Sequence, residues 1–298
     1  MNKQWLLPVS MILLLFACPA WSEELPWEKK LPFKEATIHY ELTGMEQGKE
    51  TLYIRDHGRR QAKQHQGTAT VMGTTKKTET VQLTDPDWVY MYDLVEKKGS
   101  KTTNPNKLYQ AEYNKLTGEE KKNFEKNAKE MGANMMGQFG GSVKQKGGKI
   151  LGYDCDIVTV GGISTVYTLH DTGIPLRAEA SVMGMNNATS ATKIDTSTGG
   201  PDSAFAPPAG IVATLDQDME TMMASMIKDT VDTLKKPDGA KQMQQAGPMG
   251  MMGGAGMQKM MQKEMQDEGM SPQEQQEMMR QMNEAMQQMQ KMKQPPKN

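Results

Sequence analysis

The chain has 298 residues, with 35 Lys and Arg against 36 Asp and Glu and a formal net charge of −1. That balance lacks the basic footprint of a nucleic-acid-binding protein, and two cysteines cannot supply the framework of a disulfide-stapled scaffold. The length suits one good-sized domain plus an extension, and the anomaly is a count of 29 methionines, most of them beyond residue 215.

Residues 1–22 read as a secretory signal. Lys3 supplies the positive start, Trp5 to Ala17 form an apolar run broken only by Pro8 and Ser10, and Ala20-Trp21-Ser22 offers small residues where a signal peptidase reads. The run falls short of the about 20 apolar residues that span a bilayer. A second reading takes Leu15-Phe16-Ala17-Cys18 as a lipobox with Cys18 lipidated after cleavage, and a third keeps the segment as an uncleaved anchor. All three place the remaining chain outside the cytoplasm, in the periplasm or on the envelope.

From Glu35 to Leu94 the pattern has period two. Ala36, Ile38, Tyr40 and Leu42 alternate with polar residues, as do Leu52 and Ile54, Ala69 and Val71, and Val81 and Leu83; Val89, Met91 and Asp93 then alternate with Trp88, Tyr90 and Tyr92. Turn signals at Gly44, Asp56-His57-Gly58, Gly73 and Asp85-Pro86 divide the runs, which predicts an antiparallel meander with one buried face. A hairpin at Lys97-Lys98-Gly99-Ser100 is expected to close this half.

The period then changes. Asn106 to Leu116 predicts a short helix, and Thr117-Gly118-Glu119-Glu120 fits a capping box opening a longer one to about Gln138, with Phe124, Ala128, Met131, Met135 and Met136 as its apolar stripe. Strands return at Lys149 to Val160 and Ile163 to Leu169, joined through Gly161-Gly162, and again at Leu176 to Met183 and Ala188 to Asp195, joined around Asn186-Asn187. A Gly/Pro-rich loop, Thr198 to Gly210, ends the domain. The expected class is α+β: one curved antiparallel sheet over residues 30–212 with covering helices, including a helical insert at 106–138.

Three stretches carry a resemblance. Lys149 to Val158 (KILGYDCDIV), Tyr167 to Arg177 (YTLHDTGIPLR) and Phe205 to Gly210 (FAPPAG) resemble the core of the DUF4412 family, itself similar to the outer-membrane lipoprotein carriers of the LolA/LolB type. The resemblance covers about residues 30–212. It implies an incomplete β-barrel with a concave apolar face, a shape that relatives use to hold acyl chains or peptide segments. No ligand-contacting residue of the carriers maps onto a position of this chain, and fold analogy alone does not establish function.

Catalytic signals are missing. His39 falls on the polar side of a strand, His57 in a turn, His65 in a polar strand and His170 beside Asp171 at a strand end; none has metal-ligand spacing to another His or Cys. Convergence of His170, Asp171 and Arg177 on one pocket would reopen the question of an enzyme. Cys155 sits where a strand expects a small buried hydrophobe.

Beyond the domain, residues 213–236 predict an amphipathic helix with Leu215, Met219, Met222, Met226 and Thr233 on one face, docked on the sheet. A Gly/Pro-rich linker is expected over 237–256, then a Met/Gln-rich helical tail over 257–298. In the tail Met257, Met260, Met261 and Met265 recur at helical intervals, and after the Ser271-Pro272 start so do Met278, Met282, Met286, Met289 and Met292. Three readings of this stripe stand side by side: a coiled-coil-like seam for self-association or a partner helix, an adaptable apolar binding surface, and thioether coordination of Cu(I). The sequence therefore predicts a periplasmic, non-enzymatic protein that shelters a lipid or other apolar ligand and contacts partners through its tail, with Cu(I) handling or a purely protein-contact scaffold as alternatives. No cofactor is expected outside the copper alternative.

Overall fold

The alternation of apolar and polar side chains determines which faces of the strands are buried, and the strands pair almost entirely in chain order. The protein is described from a computed structural model over residues 31–71, 74–138, 141–160, 164–182, 185–251 and Arg280. The predicted signal peptide with Cys18 and the predicted Met stripes of the tail lie outside these residues. None of the described helices is long and apolar enough to cross a membrane.

Six strands open the chain: β1 (Ala36–Gly44), β2 (Glu46–Arg55), β3 (Arg60–Val71), β4 (Thr74–Thr84), β5 (Trp88–Asp93) and β6 (Lys98–Thr103). Two helices follow, α1 (Pro105–Asn114) and α2 (Gly118–Gln138). Then come β7 (Ser142–Ile150), β8 (Tyr153–Val160), β9 (Ser164–Leu169), β10 (Pro175–Val182), β11 (Met185–Asp195) and β12 (Ala213–Leu215), and finally α3 (Gln217–Leu234) and α4 (Gly239–Met251). Among the described residues the twelve strands form one unclosed sheet in the order β12-β6-β5-β4-β3-β2-β1-β11-β10-β9-β8-β7, with only the β12–β6 pair parallel. The α1–α2 segment thus joins β6, beside one end of the sheet, to β7 at the other.

The sheet is apolar on different faces in different places. On the Tyr40 face, Ala36, Ile38, Tyr40 and Ile54 share a cluster with Cys155, Leu169, Leu176 and Ala191, closed by Leu31, Phe33 and Ile174. Because β2 and β8 lie five steps apart in the sheet order yet share this cluster, the sheet must curl strongly. On the opposite face, Ala62, Val81, Leu83 and Tyr92 are packed by Phe205, by Ile211 and by Ala213 of β12. Each fully sealed side chain of this kind, such as Ile38 or Leu176, contributes about 1.5–3 kcal/mol.

The helices bury their apolar side chains mainly against one another. Their cluster of Tyr113, Phe124, Ile227, Val231, Leu234 and Met243 takes no residue from a strand, because loop and terminal segments already close both sheet clusters. Of the expected 213–236 helix, Ala213–Leu215 instead form β12 against β6 and Gln217–Leu234 form α3, which packs mainly on the other helices and meets β6 through a hydrogen bond from the Thr103 amide to Glu220 Oε2 at 2.7 Å. The buried side of α3 is Met223, Ile227, Val231 and Leu234, roughly 100° around the helix from the predicted Met219–Met222–Met226 face.

Local chemistry accounts for the helix limits. Asn104 caps α1 by accepting from the Asn106 amide at 2.9 Å, with Pro105 in the first turn. The predicted capping box forms at α2, where Thr117 N donates to Glu120 Oε2 at 2.9 Å and Glu120 N donates to Thr117 Oγ1 at 3.3 Å. Asp216 caps α3 through the Met219 amide.

Three sequence expectations need correction. The Lys149–Val160 strand is broken by a two-residue hairpin at Leu151 and Gly152, both at positive φ as a tight primed turn requires. Asn186 and Asn187 lie within β11 and are not a turn; Asn187 Oδ1 instead accepts from the Met45 and Glu46 amides and fixes the β1–β2 turn. Residues 239–251 of the expected linker form α4, because burial of Ala240 and Met243 overrides glycine's low helix propensity. The Gly161-Gly162 turn lies outside the described residues, but Val160 pairs with Ser164 across it.

Candidate functional site

Two charged constellations stand out; spacing announced nothing of the first, and of the second only the neighbours His170 and Asp171. The first lies on the Tyr40 face of β2 and β3. Strand register puts Glu50 directly opposite His65 and Leu52 opposite Lys63, while Glu46 sits opposite Ala69, beyond Gly67. His65 Nε2 meets Glu46 Oε1 at 2.9 Å and its Nδ1 meets Glu50 Oε2 at 3.2 Å; Lys63 Nζ approaches the same Glu50 oxygen at 3.7 Å. Glu46 reaches back to the imidazole by lying over Gly67, where an added Cβ would fall 2.2 Å from its Oε1. Glycine at that position therefore makes the Glu46–His65 contact possible.

The sequence suggested an exposed polar strand for His65, yet this side chain is buried. Burial opposes its charge, but hydrogen bonds to Glu46 and Glu50 outweigh burial and push the imidazolium pKa up to about 9. For Glu50, burial raises the carboxyl pKa, and the His65 hydrogen bond and the Lys63 charge overcome it to leave the group below its ordinary value. Two carboxylates and two cations thus form a neutral quartet. Tyr40, buried beside it with its hydroxyl donating to Pro175 O at 2.9 Å, has its pKa raised by burial and by Glu50.

From this quartet the Tyr40 face continues across β4, β5 and β6 through Thr80, Gln82, Val89, Met91, Ser100 and Thr102, all half-buried and none a member of the three buried clusters. The face is therefore divided. Its β1, β10 and β11 half is sealed apolar core, and its β3–β6 half is accessible and mostly polar.

The second constellation gathers Asp156, His170 and Asp171 at the β8–β9 end. His170 Nδ1 lies 2.7 Å from Asp156 Oδ1 and Nε2 lies 3.1 Å from Asp171 Oδ2. Asp156 also accepts from the Lys146 amide at 2.8 Å; burial raises its pKa, and this bond with the His170 contact pulls it below the ordinary range. These three residues offer ligand atoms within 4.8 Å of one another, the arrangement a divalent cation would use. In the protein both imidazole nitrogens are instead occupied by carboxylates, an arrangement that fixes the His170–Asp171 turn and the β7 bulge, where Lys146 has positive φ. Arg177 does not join them; it pairs with Glu179 and lies over the Tyr167 ring.

The remaining histidines are structural. His39 Nδ1 contacts Thr51 Oγ1 at 3.2 Å, and His57 Nδ1 contacts Leu31 O at 2.9 Å. Cys155 is buried as expected, and burial raises its thiol pKa, which disfavours the reactive thiolate. The speculative Cu(I) ligands Met257, Met260, Met261, Met265, Met278, Met282, Met286 and Met289 lie outside the described residues.

No family model matches the chain, and no curated protein matches it in sequence. Among solved structures it is similar to an uncharacterized conserved protein from Thermus thermophilus, at 8% identity over 69% of this chain and 98% of that one, with a TM-score of 0.36. It is also similar to PNGF-II, at 13% identity over 64% of this chain and 32% of that one, with a TM-score of 0.31. At these scores neither likeness carries a functional argument, and the DUF4412 resemblance rests on its sequence motifs alone.

Proposed function

We propose that the chain is an exported, non-enzymatic binding protein of the cell envelope whose sheet is a carrier-like incomplete barrel. The supporting observation is the divided Tyr40 face: the sheet is unclosed, one half of the face is packed, and the β3–β6 half is left accessible beside the packed half. The wholly apolar concave face implied by the carrier resemblance is replaced by a mixed one. A ligand lying there would place apolar groups on Val89 and Met91 and polar groups on Thr80, Gln82 and the His65 quartet, which fits an amphiphile better than a bare hydrocarbon.

The charge chemistry supports binding over catalysis. A general base or nucleophile needs an unshared reactive atom near a substrate position, whereas His65 and His170 each have both ring nitrogens engaged by carboxylates. The test is purification from the periplasm, intact mass measurement and solvent extraction. The reading predicts a mature chain lacking residues 1–22 and a stoichiometric amphiphile in the extract. A chain retaining the signal segment, or repeated extracts without any amphiphile together with no displacement of a fluorescent fatty acid, would overturn it.

A further inference from the structure

The helical cluster leaves one apolar strip of α3 outside it. Met219, Met222 and Met226 lie in line along α3 at three- and four-residue spacing, and just before the helix Val212 and Leu215, in and beside β12, are 81% and 43% exposed. The three methionines are half-buried, and none belongs to the cluster that seals Ile227, Val231 and Leu234, with Met223 packed against it, on the adjacent face. Such a strip, with the spacing of a coiled-coil seam, fits an amphipathic helix.

We infer that this strip is the docking site of the chain's own C-terminal segment, residues 278–292, whose Met278, Met282, Met286, Met289 and Met292 form the complementary stripe. The inference is independent of whether the sheet holds a ligand. Three features select this occupant. The last described helix, α4, ends at Met251, and it packs in the same helical cluster as α3 through Met243. The 27 positions from Met251 to Met278 reach up to about 90 Å when extended, far beyond what is needed to bring 278–292 alongside α3. As a helix the segment is about 21 Å long, within the about 27 Å of the 18-residue α3.

Charge agrees. Residues 216–235 hold five acids (Asp216, Asp218, Glu220, Asp229, Asp232) against Lys228 and Lys235, a net of −3, whereas 278–292 holds Arg280 and Lys291 against Glu284, a net of +1, and Lys293 and Lys297 follow it. Unbranched thioethers on both sides suit a seam that forms and releases, since methionine repacks without the fixed shape of leucine or isoleucine. Docking would keep the half-buried strip and the tail from self-association until a partner helix displaces the tail.

The test uses the full chain with a photo-crosslinking benzoylphenylalanine in place of Met222 and, as control, of Ser225, which is exposed on the side of α3 away from the buried face. Irradiation at Met222 should yield a crosslink at monomer mass to a peptide from 278–292, and irradiation at Ser225 should not. Crosslinks at dimer mass would assign the strip to a second copy and overturn the inference, as would the absence of any tail crosslink. Limited peroxide oxidation of the unmodified chain serves as a check free of folding defects. Docking predicts that Met282, Met286 and Met289 oxidise at least tenfold more slowly than in the urea-unfolded chain, and equal rates would refute it.

Discussion

Titration of His65 gives the sharpest quantitative expectation. The imidazole ionises near pH 6.5 in an unfolded chain and at about 9 when held by Glu46 and Glu50. A folded-state pKa raised above the unfolded one adds stability that is fully present below pH 6.5 and is lost as pH rises through 9. The gap of about 2.5 units corresponds to about 3 kcal/mol. The His65 side chain is only 9% exposed, so solvent screening removes little of that figure. For a domain of this size the loss corresponds to a fall of about 6–12 °C in Tm. Other groups titrate in the same window, so the measurement is a difference: urea unfolding of the native chain and of His65→Gln at intervals from pH 6 to pH 10. Glutamine keeps a hydrogen-bonding side chain and carries no proton to lose. The stability difference should shrink by about 3 kcal/mol across the range, with most of the change between pH 7 and pH 9. A difference that stays constant with pH would show that His65 is not held as an imidazolium and would refute the charge-neutral quartet.

Related perturbations separate the parts of the structure. Gly67→Ala should push Glu46 off His65, so the imidazole pKa read by NMR should fall from about 9 toward its ordinary value; an unchanged titration would remove the role given to this glycine. Asn127 is 1% exposed, and its amide donates to Leu234 O at 2.8 Å and Lys236 O at 2.6 Å at the end of α3. Asn127→Leu should leave the Leu234 carbonyl without this donor and the Lys236 carbonyl with the Gly239 amide at 3.1 Å, and lower stability by about 1–3 kcal/mol in urea unfolding, whereas a change under about 0.5 kcal/mol would mean water replaces the amide. In the mature chain Cys155 should not react with a thiol reagent until denaturant is added, and prompt native-state labelling would contradict its burial. Asp156→Asn should loosen the bulge at Lys146 and speed amide exchange in Ser142–Ile150, while exchange in β1 and β2 stays unchanged.

Much of this molecule follows from local chemistry. Period-two alternation located β1 and β2 and the faces they bury, because successive strand side chains must point to opposite sides. The capping box at Thr117 and the break after Leu234 were equally legible, since caps and proline act within a few residues. Leu151-Gly152 was read through as strand because an apolar residue at positive φ gives no warning in the sequence. Glycine at 239 suggested a linker because propensity counts neighbours along the chain and not those in space.

The site was hidden for the same reason. Glu46, Glu50, Lys63 and His65 lie in two strands separated by a turn, and only the register that sets Glu50 against His65 makes them a unit. His170 and Asp171 drew notice as neighbours in sequence, but their partner proved to be Asp156, brought over by the β8–β9 pairing, and not Arg177. The sequence alone determined where backbone propensity and alternation act: strands, caps and the amphipathic character of the helices. Tertiary structure alone decided which helical face was sealed, which histidine was buried and charged, and which half of the Tyr40 face stayed accessible. Those outcomes depend on contacts between residues far apart in the chain, whose energies no local pattern encodes.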